Sequence, residues 1–242
     1  MTERLKTLWH LAFGDGEEFI DLFFRTAYAP DRCLYLTEDG QVTAALYWLD
    51  CEYSGQKQAY IYAVATHPDH RGKGLCRQLM EKAHGRLKEA GYAAALLRPA
   101  DEGLRRMYRK MGYRTATHVS EFSCAAEEPI PLREISTEEY ARLRQNFLPE
   151  NGVLQEGVSL TYLAAYSRLY AGADFVLAGL TDNGAFVGIE LLGNRNAAPG
   201  ILGALGYETG HFRCPGREIP FGMFLPLAED AAEPDYLGLV FD

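Results

Sequence analysis

Val64-Ala65-Thr66-His67-Pro68-Asp69-His70-Arg71-Gly72-Lys73-Gly74-Leu75-Cys76 is the stretch whose reading decides the fold. Its left end closes a strand-like run from Ala59 to Thr66, where Tyr60, Tyr62 and Val64 alternate with Ile61, Ala63 and Ala65. Thr66 to Gly74 reads as a loop. Leu75 then opens a helix with Leu75, Leu79, Ala83, Leu87 and Ala90 on one face and Gly91 at its end. Strand, glycine bend, helix is an arrangement that can hold a pyrophosphate. The glycines turn tightly and let a ligand approach the N–H groups, the helix mouth adds unpaired donors and a positive dipole end, and Arg71 and Lys73 add charge. The bend matches neither GxxxxGK[ST] nor GxGxxG, so it is neither a Walker A loop nor a Rossmann fingerprint. By itself the bend would be read as a plain helix entry.

Working outward, helical spacing marks residues 3–12, and Asp15 precedes a second helix carrying Phe19, Ile20, Leu22, Phe23 and Phe24. Cys33 to Leu36, an Asp39-Gly40 turn and Val42 to Leu49 read as a hairpin. Beyond the central helix come a short strand, Ala93 to Leu97, and a helix capped by Asp101 that carries Leu104, Met107, Tyr108 and Met111. Tyr113 to Ser123 is the next strand. Residues 124–131, with two acids and two prolines, look like a linker. Helices at Thr137–Phe147 and Leu160–Tyr170 follow. A hairpin is predicted from Asp174 to Leu192 around Asp182-Asn183-Gly184, then a short helix at Pro199–Leu205 and strands at Ile219–Leu227 and Tyr236–Phe241. The element order of the first half recurs in shortened form. The predicted organisation is therefore two lobes, residues 1–126 and residues 127–242.

The chain has 242 residues, 48% of them apolar and 24% charged, which is an ordinary globular balance. No apolar run is long enough for a membrane span, and the N-terminus has no signal-peptide core. Five widely spaced cysteines without a CxxC pair are read as reduced thiols in a cytoplasmic protein, and six scattered histidines imply no metal. The net charge is −9, but residues 1–126 carry 17 basic and 16 acidic side chains, whereas residues 127–242 carry 7 and 17. Residues 71–114 alone hold 12 basic and 4 acidic, or +8. A local cationic stretch in an acidic chain suits a small polyanion rather than nucleic acid.

Two motifs together resolve the ambiguity of the bend. Arg71, Gly74 and Cys76 occupy the three places of (Q/R)xxGx(G/A) at the start of a helix, and Tyr108-Arg109-Lys110-Met111-Gly112-Tyr113 follows in the form Y-x-K-x-G-(F/Y). Over residues 1–123 the chain resembles the GNAT superfamily of acyl-CoA-dependent N-acyltransferases. Cys76 replaces the usual Gly or Ala, and Asp101 stands where Asn is frequent. The resemblance implies an α/β GNAT fold: a mixed, mostly antiparallel twisted sheet flanked by helices, here with a second, smaller α+β lobe.

The resemblance also implies site roles. Arg71, Gly72, Lys73, Gly74, Leu75 and Cys76 would hold the pyrophosphate of acetyl-CoA, the acyl donor. Val64, Ala65 and Thr66 would pair with its pantetheine arm and face the thioester oxygen, and Asp101 would lie beside the cofactor. Tyr108 would be the general acid that protonates the departing thiolate. The general base is open: residues 58–66 contain no carboxylate, which leaves Glu52, His67, Glu121, or a water chain ending on a backbone carbonyl or Tyr60. The implied reaction moves an acetyl group to a primary amine of a small molecule or peptide; the acidic second half is first read as a solvated acidic surface, and as a wall of the acceptor pocket, the alternative to a partner-binding face, it would attract a cationic amine. A longer acyl chain or an oxygen acceptor is a variant. The alternative from a different class is a CoA-binding sensor without turnover. Neither acceptor nor oligomeric state is legible in the sequence.

Overall fold

The computed structural model describes residues 1–241. In chain order the elements are α1 (Thr2–Phe13), α2 (Glu17–Thr26), β1 (Cys33–Glu38), β2 (Gln41–Tyr53), β3 (Gln56–Thr66), α3 (Leu75–Glu89), β4 (Ala94–Leu97), α4 (Glu102–Arg109), β5 (Arg114–Thr115) and β6 (His118–Ala125). Then follow β7 (Arg133–Glu134), α5 (Thr137–Phe147), α6 (Val158–Tyr166), β8 (Arg168–Ala171), β9 (Phe175–Asp182), β10 (Ala185–Gly193), α7 (Ala198–Leu205), β11 (Thr209–Pro215), β12 (Ile219–Pro220) and β13 (Met223–Pro226).

The chain forms two compact units. One contains residues 1–114 and 223–233, the other residues 115–222 and the described residues from Pro234 onward. Their sheets run β1-β2-β3-β4-β13-β5 and β12-β6-β11-β10-β9-β8-β7. The partition differs from a cut at residue 126, because the halves exchange strands. β6, which follows α4, pairs antiparallel with β11 (Phe122 opposite Phe212), and β13, near the other end of the chain, pairs antiparallel with β4 (Phe224 opposite Leu96). Nothing local in either strand's sequence specifies so distant a partner.

Three tight hairpins have both central residues at positive φ, the conformation that matches strand twist: Asp39-Gly40 (48° and 78°), Ser54-Gly55 (54° and 71°) and Asn183-Gly184 (48° and 82°). Ser54-Gly55 has no Asn or Asp to announce it, so β2 extends to Tyr53, past the predicted end at Leu49. The predicted helix at Leu160–Tyr170 stops at Tyr166, and Arg168–Ala171 is strand β8. The residues between the predicted helix at Pro199–Leu205 and the predicted strand at Ile219, to which the sequence assigns no element, contain β11, which lies parallel to β10. Tyr236–Phe241 is no strand: Tyr236 makes one bridge to Gly152, and Gln155 bonds both the N–H and the carbonyl of Leu239. The run Tyr113–Ser123 breaks where the N–H groups of Ala116 and Thr117 turn to the Gly222 carbonyl.

The two units repeat one motif. β3, α3 and β4 form a parallel crossover, and so do β10, α7 and β11. Each first strand carries a register shift, opposite Ala45–Tyr47 in β3 and at Gly188–Glu190 in β10. The second copy is the shorter, with eight residues in α7 against fifteen in α3.

In the first unit, α3 and α4 pack Leu79, Met80, Ala83, Leu87 and Tyr108 onto Leu46, Trp48, Ile61 and Leu97 of the sheet. The second unit buries a charged pair. Arg144 donates to Glu190 from Nε (2.7 Å) and Nη2 (3.0 Å), while Tyr140 and Tyr236 donate at 2.9 Å and 3.0 Å, so both carboxylate oxygens are satisfied twice. Gly238 is required there, because a Cβ would sit 1.7 Å from Glu190 Oε1. Removing one member of such a pair strands the other. Arg144→Ala is expected to cost about 3–5 kcal/mol in urea unfolding, while Glu52→Ala, exposed at the end of β2, serves as a near-neutral reference.

Candidate functional site

The site begins where two parallel strands part. β3 and β4 are paired at Gln58–Ala94, Ala59–Ala95 and Tyr60–Leu96, and no further rung is formed. Opposite Leu46 the β3 ladder is bulged, and Ala63 there takes φ 47°, a conformation uncommon outside glycine. The bulge turns the strand, so Val64, Ala65 and Thr66 continue along β2 with their other edge unpaired by β4. No feature of the sequence flags Ala63.

Beyond Thr66 the chain makes a short helical turn at Pro68–His70 and then the glycine bend. Gly72 and Gly74 both have φ +77°, and a Cβ on either would meet nothing within 4 Å. The requirement for glycine is thus conformational, and the space above the bend is open. α3 starts at Gly74 with no side-chain cap and no acidic residue in its first turn. Helices α2, α4 and α5 have acids there, and α4 and α5 have capping side chains as well. The N–H groups of Leu75, Cys76 and Arg77 therefore have no partner from within α3. That combination of open donors, dipole and nearby cations suits an anion.

A cleft of ≈ 760 Å³ joins these parts. Val64, Ala65, Thr66, Arg71, Gly72, Gly74, Leu75, Cys76, Asp101 and Tyr108 all line it. Of the residues expected at the site, Lys73 alone is missing from its wall, and its Nζ lies 3.4 Å from His70 Nδ1 instead. Asp101 caps α4, accepting from the Leu104 N–H at 2.8 Å, a structural role the motif does not announce. Tyr108 is 94% buried by its 6% exposure, packs edge-on to Tyr113 with ring centroids 5.7 Å apart, and has its phenol pushed up by burial and by the Cys76 thiol. It is therefore protonated at neutral pH, as a proton donor must be. Burial likewise raises the Cys76 thiol, which makes it a wall residue rather than a nucleophile.

The structure disperses the candidate bases. Glu52 sits opposite Lys57 beside the Ser54-Gly55 turn, at the far end of β3 from Thr66. Glu121 belongs to the second unit and is held below the usual carboxylate range: burial opposes ionisation, but the 2.9 Å bond from Arg213 and the nearby His211 outweigh it. His67 turns away from the cleft. Its Nδ1 accepts from the Asp69 N–H, and its Nε2 is 2.7 Å from the Gln41 amide.

In the second unit the helix after β10 has no such cradle. Its face is packed by the preceding segment, and a Cβ on Gly203 would lie 2.1 Å from the Glu127 carbonyl. Among the described residues no cluster of three metal-binding side chains occurs, and no helix is long and apolar enough to cross a membrane.

The splayed parallel pair thus leads directly into the open, uncapped start of α3. Residues 2–116, just under half of the chain, match the Acetyltransferase (GNAT) domain family. Among solved structures the chain is similar to a GCN5-related N-acetyltransferase from Kribbella flavida (18% identity, TM-score 0.68, covering 96% of this chain and 71% of that one). It is also similar to one from Anabaena variabilis ATCC 29413 (14%, 0.70, 93% and 70%). A tandem GNAT protein from the clavulanic acid biosynthesis pathway aligns over 95% of both chains at 14% identity and a TM-score of 0.56. At such identities the likeness is one of fold. No curated protein matches the sequence.

Behind Tyr108, the fully buried Tyr113 hydroxyl lies 2.8 Å from His84 Nε2, and burial pulls the imidazole down to about 4. Above pH ~6.5 folded and unfolded chains both hold this ring neutral. Below that the unfolded chain takes up a proton that the folded ring refuses until about pH 4, so stability falls through this window. Urea unfolding from pH 7 to 4 should show a smaller loss for His84→Gln than for the wild type. Equal losses would remove His84 as a source of acid sensitivity.

Proposed function

We propose that this chain is an N-acetyltransferase moving the acetyl group of acetyl-CoA to a primary amine of a small molecule or peptide, with a cationic acceptor preferred and the cytoplasm as its place of action. The observation that carries the reading is the continuity of one cleft along the unpaired edge of β3, the Gly72–Gly74 bend and the Tyr108 side chain.

The bend and the first turn of α3 hold the pyrophosphate through backbone N–H groups, with Arg71 and Lys73 adding charge. The pantetheine arm lies along Val64, Ala65 and Thr66 as an added strand. A backbone N–H at the bulge faces the thioester oxygen and stabilises the oxyanion formed when the amine lone pair attacks the carbonyl carbon. Collapse of that intermediate breaks the C–S bond, and the leaving thiolate takes the phenolic proton of Tyr108. The proton shed by the new amide nitrogen passes through water and restores the phenol, so the overall change is amine plus thioester to amide plus thiol. With Glu52 and His67 outside the cleft wall and Glu121 tied to Arg213 within the second unit, no carboxylate or imidazole is assigned as base.

A thiol-release assay with acetyl-CoA and a panel of primary amines tests the reading. Release with at least one amine is expected. Tight CoA binding with no release from any of them would instead favour a sensor without turnover. Tyr108→Phe should lower kcat by about a hundredfold or more while CoA affinity is largely kept, and the wild-type rate should show no alkaline decline from this phenol below pH ~10. An unchanged kcat in the variant would take Tyr108 out of the mechanism.

A further inference from the structure

The cations around the cleft do not all have the same work to do. Its wall includes three permanent ones, Arg71, Arg77 and Lys110. Arg71 sits on the bend itself. Arg77 is held by Glu81, with Nε 3.1 Å from Oε1 one helical turn on. Lys110 comes from a different element, the exit of α4, and has no carboxylate partner among the described residues, although Arg105 and Arg109 beside it both pair with Glu102. The one carboxylate in the wall, Asp101, is engaged with the α4 backbone. Lys110 is thus an uncommitted positive charge facing the cleft, on a different element from the bend.

Resting on the acetyl-CoA reading above, we propose that Lys110 is a specificity-determining residue: it forms a second anion subsite that reads the ribose 3′-phosphate of the donor. The bend has enough donors for a diphosphate but serves any nucleoside diphosphate derivative equally. A separate cation in the same cleft wall, carried by α4 rather than the bend, adds a contact that only a 3′-phosphorylated ligand can use. Lys110 therefore discriminates coenzyme A from the same molecule lacking that phosphate. Arg77, already neutralised by Glu81, contributes less.

Isothermal titration with coenzyme A and with 3′-dephospho-coenzyme A tests this on the full chain. The wild type is expected to favour coenzyme A by roughly tenfold or more at low salt, the size of one charge-assisted contact. Lys110→Gln should remove most of that preference by weakening coenzyme A alone. Arg106→Gln, exposed and outside the cleft wall, should leave both affinities unchanged. A Lys110→Gln chain that keeps the preference overturns the proposal, and so does one that weakens both ligands equally. A lower melting temperature with the preference intact would assign Lys110 instead to the carbonyls at the end of α4, and also overturns it. If the folded wild type binds neither ligand, the acetyl-CoA reading falls as well, whereas equal binding of both sinks only the role of Lys110.

Discussion

Parallel strands that stay hydrogen-bonded to their ends leave no edge for a ligand to use. In this chain the last rung between β3 and β4 is Tyr60–Leu96, and the remainder of the cleft follows from that limit. Once the rungs stop, the backbone of Val64–Thr66 needs partners on one side, and buried or half-buried amides left without them are costly. The bulge at Ala63, in an unfavourable conformation, is tolerable because β2 holds the strand on both sides of it. The same strand delivers the chain directly into the glycine bend, so the unpaired edge and the open helix mouth are separated by only a few residues.

Charge is placed with the same economy. The chain as a whole carries −9, yet residues 71–114, which hold α3, α4 and the bend, carry +8. Most cations of α4 are spent locally: Arg105 and Arg109 pair with Glu102, and such exposed pairs contribute little to stability. α3 lacks the first-turn acids of α2, α4 and α5 and the capping side chains of α4 and α5, so its own N-terminus is left incomplete. An incomplete helix start beside two glycines at φ +77° makes sense as a place completed by something other than the protein.

Much of this was legible in the residues. The alternation of Ala59–Thr66, the stripe of α3 and the two glycine-bearing motifs are local signals, and the structure brings nearly every residue they implicated to one cleft. Asp101 was recognisable as a cap by its place before α4. What could not be read was non-local. Nothing in Tyr60 or Ala63 says that pairing stops between them. The Arg144–Glu190 pair joins residues 46 positions apart, and neither looks unusual in sequence. His67 seemed a candidate base because it follows β3, but side-chain direction in a loop is set by partners, here Gln41 and Asp69. The strand beginning near Thr209 was missed although Gly210, Phe212 and Cys214 alternate with Thr209, His211 and Arg213, because glycine and proline near its two ends are poor strand formers, and its pairing with β10 supplies what propensity does not.

The exchange of β6 and β13 bears on how the chain can be made. β4 is synthesised early, but the strand that covers its far edge comes some 125 residues later, with Phe224 meeting Leu96. A nascent chain emerging from the ribosome therefore exposes one side of its first sheet until Met223–Pro226 is out. During that interval the Ala94–Leu97 edge, which is wholly apolar, is open to any other extended segment. Contacts of such long sequence separation slow folding, so a fragment ending in the 124–131 stretch would carry the glycine bend and Tyr108 but not the strand that closes their sheet.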